Sequence, residues 1–402
     1  MRPSRISLVV AGGVLLVGAG LWSLLAVPAL VKFPLSTDAV LHYDGHFVTF
    51  VDQATGRTLP SASSAPLTVR RHIAAVPSAS TSSVAVVDEQ LALSFGGRSV
   101  SEHNRYALDR RTMENVSSDQ AYTFAPANPG AVAGSYYITL PMNLGPDSSG
   151  LRIFKPETGT TYPLVPLADG HQPATLDGLP VQWFSGTLPM TPVASYERAN
   201  LAAQGLPMTV PPARIEAGLA AAGISVPALT RVLAPVLTPA ETTRVATVLA
   251  SRVRLDYYAY GTGLVAAEPR SGQIIELKNV VDGIAFKPAT GGISTLVSVL
   301  DRHRSLPGVP AALRALRALV SAPPQAVYQL TYTETPASVA SMVDTANSQL
   351  TGIEVVTEVV PISAAVLGAL LVILGLGLAA MDRRRLTAPG APGEAGTARE
   401  AA

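Results

Sequence analysis

The sequence ISLVVAGGVLLVGAGLWSLLAVPALV at residues 6–31 contains 26 consecutive residues without a charge, between Arg5 and Lys32. A second uncharged run, VVPISAAVLGALLVILGLGLAAM, covers residues 359–381. The hydrocarbon core of a bilayer is about 30 Å thick and is crossed by about 20 helical residues. Because both runs exceed that length, the sequence predicts a transmembrane helix near each end of the chain.

The charges that flank the two runs predict their orientation. Basic residues precede the first run and follow the second, at Arg2, Arg5 and Arg383–Arg385. Since basic residues stay on the cytoplasmic side of a membrane, we expect residues 1–5 and 382–402 in the cytoplasm and residues 32–358 outside it, at the plasma membrane. The tail at 382–402, which is rich in Ala, Pro, Gly and Glu, is expected to be disordered.

The first run has a second interpretation as a cleaved signal peptide, because a basic start followed by an apolar run is common to both. Residues 25–29, LAVPA, resemble a cleavage site between small residues. The apolar part of a signal peptide is typically about 7–15 residues long. The length of this run therefore favours a retained span.

The composition excludes several classes of function. The 402 residues include no Cys, so disulfides and cysteine catalysis are absent. Residues 32–358 carry 23 basic and 25 acidic side chains, which leaves no basic surface for nucleic acid. Arg outnumbers Lys 25 to 4, and Ala, Gly, Pro and Val are abundant, as GC-rich codons would encode. This bias indicates a high-GC bacterium.

The part between the two runs reads as an α+β domain. Residues 38–190 hold short β-branched and aromatic runs between turn residues, which predict a β-rich half. Residues 211–252 change to a helical period, with Thr238 placed to cap a helix and Pro239 at its first position. Residues 255–350 contain both strand-like and helix-like segments. We expect a β-rich extracytoplasmic domain with a helical insertion, held between two transmembrane helices.

One five-residue pattern with a Ser/Thr near its end and, in most copies, a final Gly recurs along the chain. Its copies are Asp52–Gly56, Asp109–Met113, Lys155–Gly159, Glu268–Gly272 and Lys287–Gly291. A closing Gly permits a positive φ, so the pattern predicts corners of β-hairpins rather than a repeated ligand loop. Residues 60–66 and 77–83, rich in Ser, Ala and Pro, are predicted to be loops.

The densest group of possible metal ligands is His42, Asp44 and His46. In a regular strand these three side chains would share one face, as a metal site requires. Asp44 and Gly45, however, form the pair that is typical of a two-residue hairpin turn. We therefore favour a turn here and assign no metal ligand.

Motifs for catalysis are missing from the sequence. It contains no serine elbow, no Walker loop and no complete dinucleotide-binding motif, since Gly261-Thr262-Gly263 lacks the third Gly. Asp256 and Glu276 are isolated carboxylates of the kind that acid–base catalysis uses, but any domain of this size offers such pairs. We assign no catalytic or cofactor-binding residue, and expect no cofactor.

Several segments together resemble a known family. They are Arg105–Thr112, Leu140–Met142, Thr161–Pro163, Pro173–Leu179 and Glu268–Gly272. With a long apolar span at each end, this arrangement is similar to an actinobacterial family of two-pass membrane proteins of unknown function that carries a porin PorA-like label. The resemblance covers most of residues 5–385. The resemblance implies a fold, and it assigns no catalytic residues.

The expected function is that of a non-enzymatic cell-envelope protein. Its ectodomain would bind or pass a hydrophobic envelope component, such as a lipid, or would dock another envelope protein. The apolar composition is compatible with a groove for acyl chains between the sheet and the helices of residues 211–252, although apolar content alone more often forms a core. Two alternatives remain open: a subunit of an oligomeric porin-like channel, and an extracytoplasmic hydrolase without a recognisable motif.

Overall fold

The computed structural model describes most of the chain, namely residues 3–52, 58–145, 147–168, 172–221 and 223–387. The chain forms two compact units. The helical unit comprises Met1–Lys32 and Asn347–Ala402, and the sheet unit comprises Phe33–Ala346. The first copy of the turn pattern, from residue 53 onward, lies outside the described residues, as does the end of the predicted tail after Thr387.

The described residues form thirteen strands. They are β1 (Asp38–Val51), β2 (Thr58–Ala75), β3 (Val84–Phe95), β4 (Arg98–Asp109), β5 (Arg152–Lys155), β6 (Thr160–Pro166), β7 (Thr175–Leu176), β8 (Leu179–Pro180), β9 (Gln182–Pro192), β10 (Thr209–Val210), β11 (Val253–Ala267), β12 (Ile274–Pro288) and β13 (Gln325–Glu334).

Ten α-helices accompany the strands in the described part of the chain. They are α1 (Pro3–Leu21), α2 (Val27–Leu30), α3 (Ser195–Ala203), α4 (Pro212–Ala221), α5 (Val226–Leu233), α6 (Pro239–Ala250), α7 (Thr290–Arg302), α8 (Val309–Ser321), α9 (Pro336–Glu354) and α10 (Val360–Thr387). Two π-helical segments, Trp22–Ala26 and Val355–Val359, and one 3₁₀ turn, Pro77–Ala79, complete the elements.

One antiparallel sheet dominates the sheet unit and curls into a half-barrel. Its strand order is β4-β3-β2-β1-β13-β12-β11-β9-β6-β5, with β10 paired to β11. The last strand, β13, therefore lies between β1 and β12, at the centre of the sheet. The prediction of an α+β fold is confirmed, but the sheet is not confined to residues 38–190, since β11, β12 and β13 supply its middle.

The prediction of a loop at residues 60–66 is wrong, because these residues belong to β2. They pair with β1, as in Ala65 with Phe47, whereas the pairing of β2 with β3 begins only at Leu67. This part of β2 is therefore an edge. Edges tolerate the prolines that suggested a loop, because no ladder hydrogen bond is needed on the outer side.

The turn pattern is confirmed where it joins two strands. It connects β5 to β6 and β11 to β12, with Gly159 and Gly272 both at positive φ. It also closes the turn after β4, where Met113 adopts a φ of 66° in place of the usual Gly. The copy at Lys287–Gly291 is not a hairpin, because it leads from β12 into α7.

Three helices, α4, α5 and α6, lie within residues 211–252, where the sequence has a helical period. Thr238 caps α6 in a capping box, with its side chain accepting a hydrogen bond from the backbone N–H of Glu241. The helices of the insertion share a core with α7 and α8. Buried members of this core include Ile224, Leu233, Ile293, Val309 and Leu313.

Two apolar helical stretches lie near the termini, as the sequence predicts, and they form most of the helical unit. By length and composition, Ser7–Ala26 and Pro336–Met381 are long and apolar enough to cross a membrane. Only 11% and 17% of their most apolar windows are buried, unlike the core helices of a soluble protein. The helix α10 runs to Thr387, so the prediction of disorder from residue 382 is wrong for its first residues.

The two apolar helices contact each other through glycines, although neither carries the G-x-x-x-G motif. A Cβ atom added at Gly368 would lie 2.8 Å from the carbonyl oxygen of Gly12. Small residues allow such close approach between helices. The indole N–H of Trp22 also donates to the carbonyl oxygen of Val356, at 2.9 Å. The pairing of the helices is therefore specific.

Candidate functional site

The concave side of the curled sheet surrounds a cavity of about 510 Å³. Its walls come from seven adjacent strands, β4 to β11 in the sheet order, together with the β5–β6 turn, α3 and Tyr137. Sites for small molecules typically enclose about 300–1,000 Å³. None of residues 211–252, beside which an acyl groove was considered, lines this cavity.

The lining of the cavity changes from apolar to polar along the strands. At one level of the sheet, Val69, Leu93 and Val100 face inward side by side from β2, β3 and β4. Two residues further along, Arg71 on β2 and Glu102 on β4 take the corresponding positions. The more apolar end lies toward the β3–β4 hairpin, where Arg98 also lines the cavity opposite Phe95, and the polar end lies further along the strands from the hairpin. The cavity is therefore amphipathic.

Lys155 joins the polar end to the sheet. Its ammonium group lies 2.6 Å from Oδ1 of Asp282 and 3.1 Å from Oε1 of Glu157. The other oxygen of Asp282 accepts a hydrogen bond from the hydroxyl of Tyr332, at 2.8 Å. Burial by itself lowers the pKa of Lys155, but the two carboxylates raise it well above its ordinary value. Lys155 is therefore a permanent cation that holds two carboxylates.

A second ion pair, between Arg71 and Glu89, also lies at the polar end of the cavity. The guanidinium Nε of Arg71 donates to Oε1 of Glu89 at 2.6 Å. The other oxygen of Glu89 accepts from the side-chain amide of Asn104 and the hydroxyl of Tyr106. The guanidinium carbon also lies 5.2 Å from the centre of the Tyr137 ring, in a cation–π contact. This network satisfies the buried charge of Glu89.

Two further carboxyl groups line the cavity without such a cation. Among the described residues, no basic side chain forms a salt bridge with Glu102 or Glu197, although Glu197 accepts a hydrogen bond from Asn200 at 3.2 Å. Burial, followed by repulsion from Glu157, raises the pKa of each to about 8. At neutral pH both groups are therefore predominantly protonated.

Two glycines allow this arrangement. Gly159 adopts a φ of 65° and closes the β5–β6 turn that carries Lys155. Gly261 lies opposite Asp282 in the β11–β12 pair, and a Cβ atom at this position would lie 2.9 Å from Oδ1 of Asp282. Glycine at 261 thus leaves room for the carboxylate. The sequence Gly261-Thr262-Gly263 therefore serves packing within a strand.

The structure places the predicted metal-ligand candidates on the outer side of β1. The prediction of a turn at Asp44-Gly45 is wrong, because β1 is continuous from Asp38 to Val51. His42, Asp44 and His46 are exposed and share one face, opposite the buried Tyr43. Within the described residues, no group of three His, Asp or Glu side chains is positioned to hold a metal ion.

The isolated carboxylates Asp256 and Glu276 are not brought together. Asp256 pairs in register with Lys287, whereas Glu276 pairs with Ala266, ten positions further along β11. At about 3.4 Å per residue, the two are separated by roughly 30 Å. They form no acid–base pair.

The residues that line the polar end are not among those predicted from the sequence. A signal was available in the alternation of the strands: Arg71 follows Leu67 and Val69 at inward-facing positions, and Asp282 stands between Val280 and Ile284. Charged residues at apolar positions of a strand are costly unless they are paired. They therefore mark a polar site inside the sheet.

The fold and the cavity define a class of protein with a curled antiparallel sheet around an amphipathic cavity and two apolar helices. A family profile described as Porin PorA matches residues 6–377. Because the match covers most of the chain, the chain belongs to the porin PorA family. No curated protein matches the sequence.

Proposed function

We propose that the protein is anchored in the membrane of the cell envelope and holds an amphiphilic molecule in the cavity of its curled sheet. The observation that carries this proposal is the change from apolar to polar lining within one cavity. An apolar body would lie against Leu93, Phe95 and Val100, and a polar head would reach Lys155 and its partners. The hydrophobic effect and charged hydrogen bonds would then act on different parts of one ligand.

The membrane anchor in this proposal consists of the two apolar helices. Ser7–Ala26 and the apolar part of Pro336–Met381 have the length and composition of spans, and the flanking arginines favour cytoplasmic termini. The sheet unit then lies outside the cytoplasm, where it meets envelope components. The family match to porins is consistent with a place in a membrane.

Native mass spectrometry of the full-length protein, released from its membrane in mild detergent, tests the binding function. We expect a defined amphiphile to remain bound to the wild type. Val100→Trp fills the apolar end of the cavity and should abolish retention. The matched control is Val165→Trp, because Val165 is 54% exposed and lies outside the cavity. A wild type that carries no molecule, or equal retention by both variants, contradicts the proposal.

A second candidate function is a subunit of an oligomeric channel. The family description and the half-barrel shape favour it. Two spans per chain enclose no pore, so conduction requires several copies. Purified oligomers should then give discrete conductance steps in planar bilayers, and silence of a verified oligomer would remove this candidate. The cavity contains a polar cluster of the kind that the hydrolase alternative requires. Its described lining, however, contains no histidine to activate a nucleophile.

A further inference from the structure

We propose that the polar end of the cavity binds a positively charged amine group, so that the ligand is a cationic amphiphile. This inference rests on the proposed function, because it names the head group of the molecule that the cavity would hold.

Carboxyl groups outnumber basic groups at the polar end. The carboxyl groups are Glu89, Glu102, Glu157, Glu197 and Asp282, and the basic groups are Arg71 and Lys155. Glu89 neutralises Arg71, and Lys155 is shared between two carboxylates. Even with Glu102 and Glu197 protonated, this set carries one negative charge more than positive. An anionic head group would be repelled at this end; the third basic side chain of the lining, Arg98, lies at the hairpin end of the cavity.

One carboxylate oxygen at the polar end has no hydrogen-bond donor among the described residues. Oε2 of Glu157 is sealed from solvent and has no hydrogen-bond partner within the described part of the chain. Glu197 is only 3% exposed, lines the cavity, and bonds to no cation. Buried acceptors without donors are costly. An ammonium group has three donors and a charge of the required sign.

Binding of an amine would change the protonation of the cavity. A cation near Glu102 and Glu197 favours their ionised forms and opposes the burial and the repulsion that keep them neutral. The groups that face them are Glu89, Glu157, Asp282 and Lys155. Protons should therefore be released when an amine binds, and the amine should bind more tightly as the pH rises through about 8.

The test compares three probes with the same apolar chain: hexylamine, hexanol and hexanoate. Full-length protein in lipid nanodiscs is titrated at pH 7 by isothermal calorimetry in phosphate and in MOPS, which carries no primary amine, with empty nanodiscs as the blank. Hexylamine should bind at least about tenfold more tightly than hexanol, as expected for a charged hydrogen bond, and hexanoate should bind most weakly. The difference in heat between the buffers should show net proton release with hexylamine alone.

Glu102→Gln provides the matched variant, since an amide resembles the protonated acid and should preserve the fold. It should weaken hexylamine about tenfold and reduce proton release, while hexanol binding stays within about twofold. Glu276→Gln, a buried carboxyl outside the cavity, should leave all three probes unchanged. Equal binding of the three probes, or preference for hexanoate, overturns the amine site and leaves the proposed function standing. If none of the three probes binds, both the amine site and the proposed function are overturned.

Discussion

Lys155 and Asp282 are 127 positions apart in the sequence, yet the ammonium group of the first lies 2.6 Å from a carboxylate oxygen of the second. The contact connects the end of β5, at one edge of the sheet order, to β12 near its centre. Both side chains are largely buried, at 13% and 22% exposed. The pair therefore links an edge strand of the sheet to its centre within the lining of the cavity.

Replacing Lys155 should destabilise the sheet unit strongly. Lys155→Met leaves Asp282 and Glu157 buried without their cation, which should lower the free energy of unfolding by about 3 kcal/mol. The control is Arg317→Met, which breaks an exposed ion pair with Asp301 and should cost less than about 1 kcal/mol. Denaturant unfolding of both variants measures the difference. Equal, small effects would show that the buried pair does not hold the sheet together.

Stability should fall as the pH rises from about 5 to 8. The pKa values of Glu102 and Glu197 are raised from 4.5 to about 8 in the folded protein, so the folded state binds protons that the unfolded state has lost. The stability from these protons is fully present below pH 4.5 and disappears as the pH passes about 8. The double variant Glu102→Gln/Glu197→Gln should show a shallower decline in unfolding free energy. The exposed control Glu216→Gln should show the same pH dependence of the unfolding free energy as the wild type. If the double variant shows that dependence too, the decline does not come from Glu102 and Glu197.

The glycine contact predicts that a large side chain at residue 368 separates the two apolar helices. A Cβ atom there meets the backbone of Gly12, which cannot move aside easily. Gly368→Leu should therefore destabilise the helical unit by about 2 kcal/mol, whereas Gly377→Leu, with open space around it, should not. Trp22 and Trp183 are the two tryptophans, so the fluorescence of Trp22 in a Trp183→Phe background reports thermal unfolding of this unit. Identical midpoints for both leucine variants would contradict the contact.

The absence of cysteine makes the topology easy to test. A single cysteine at Ser78, which is exposed in the sheet unit, should react with a membrane-impermeant maleimide on intact spheroplasts. A cysteine at Thr387 should react only after permeabilisation, because the arginines before it favour the cytoplasm. Labelling of both positions, or of Thr387 alone, would exclude the proposed orientation.

Local chemistry explains most of what the sequence predicted. The apolar runs near the termini, the capping box at Thr238 and the turns that end in Gly159 and Gly272 each depend on a few neighbouring residues. The turn at Asp44-Gly45 was predicted on the same basis and is wrong. There, β1 is paired on both sides, to β2 and β13, and these ladders outweigh a local turn preference.

The cavity could not be predicted, because it depends on strand order. Lys155 reaches Asp282 only because the curl of the sheet brings a turn near its edge over its centre. The alternation of β12 marks Asp282 as facing inward, but it does not say which cation faces it. Equally, the raised pKa values of Glu102 and Glu197 arise from neighbours on other elements. Side chains that meet across long sequence separations are not visible in local patterns.

The most direct test of the account is an experimental density map of the full-length protein purified from its native membrane without added ligand. We predict continuous density for one molecule in the cavity of the sheet unit, with its apolar body beside Leu93 and Phe95 and its head within hydrogen-bond distance of Glu157. Water alone in the cavity of a well-resolved map, with no molecule seated between these groups, would contradict the account.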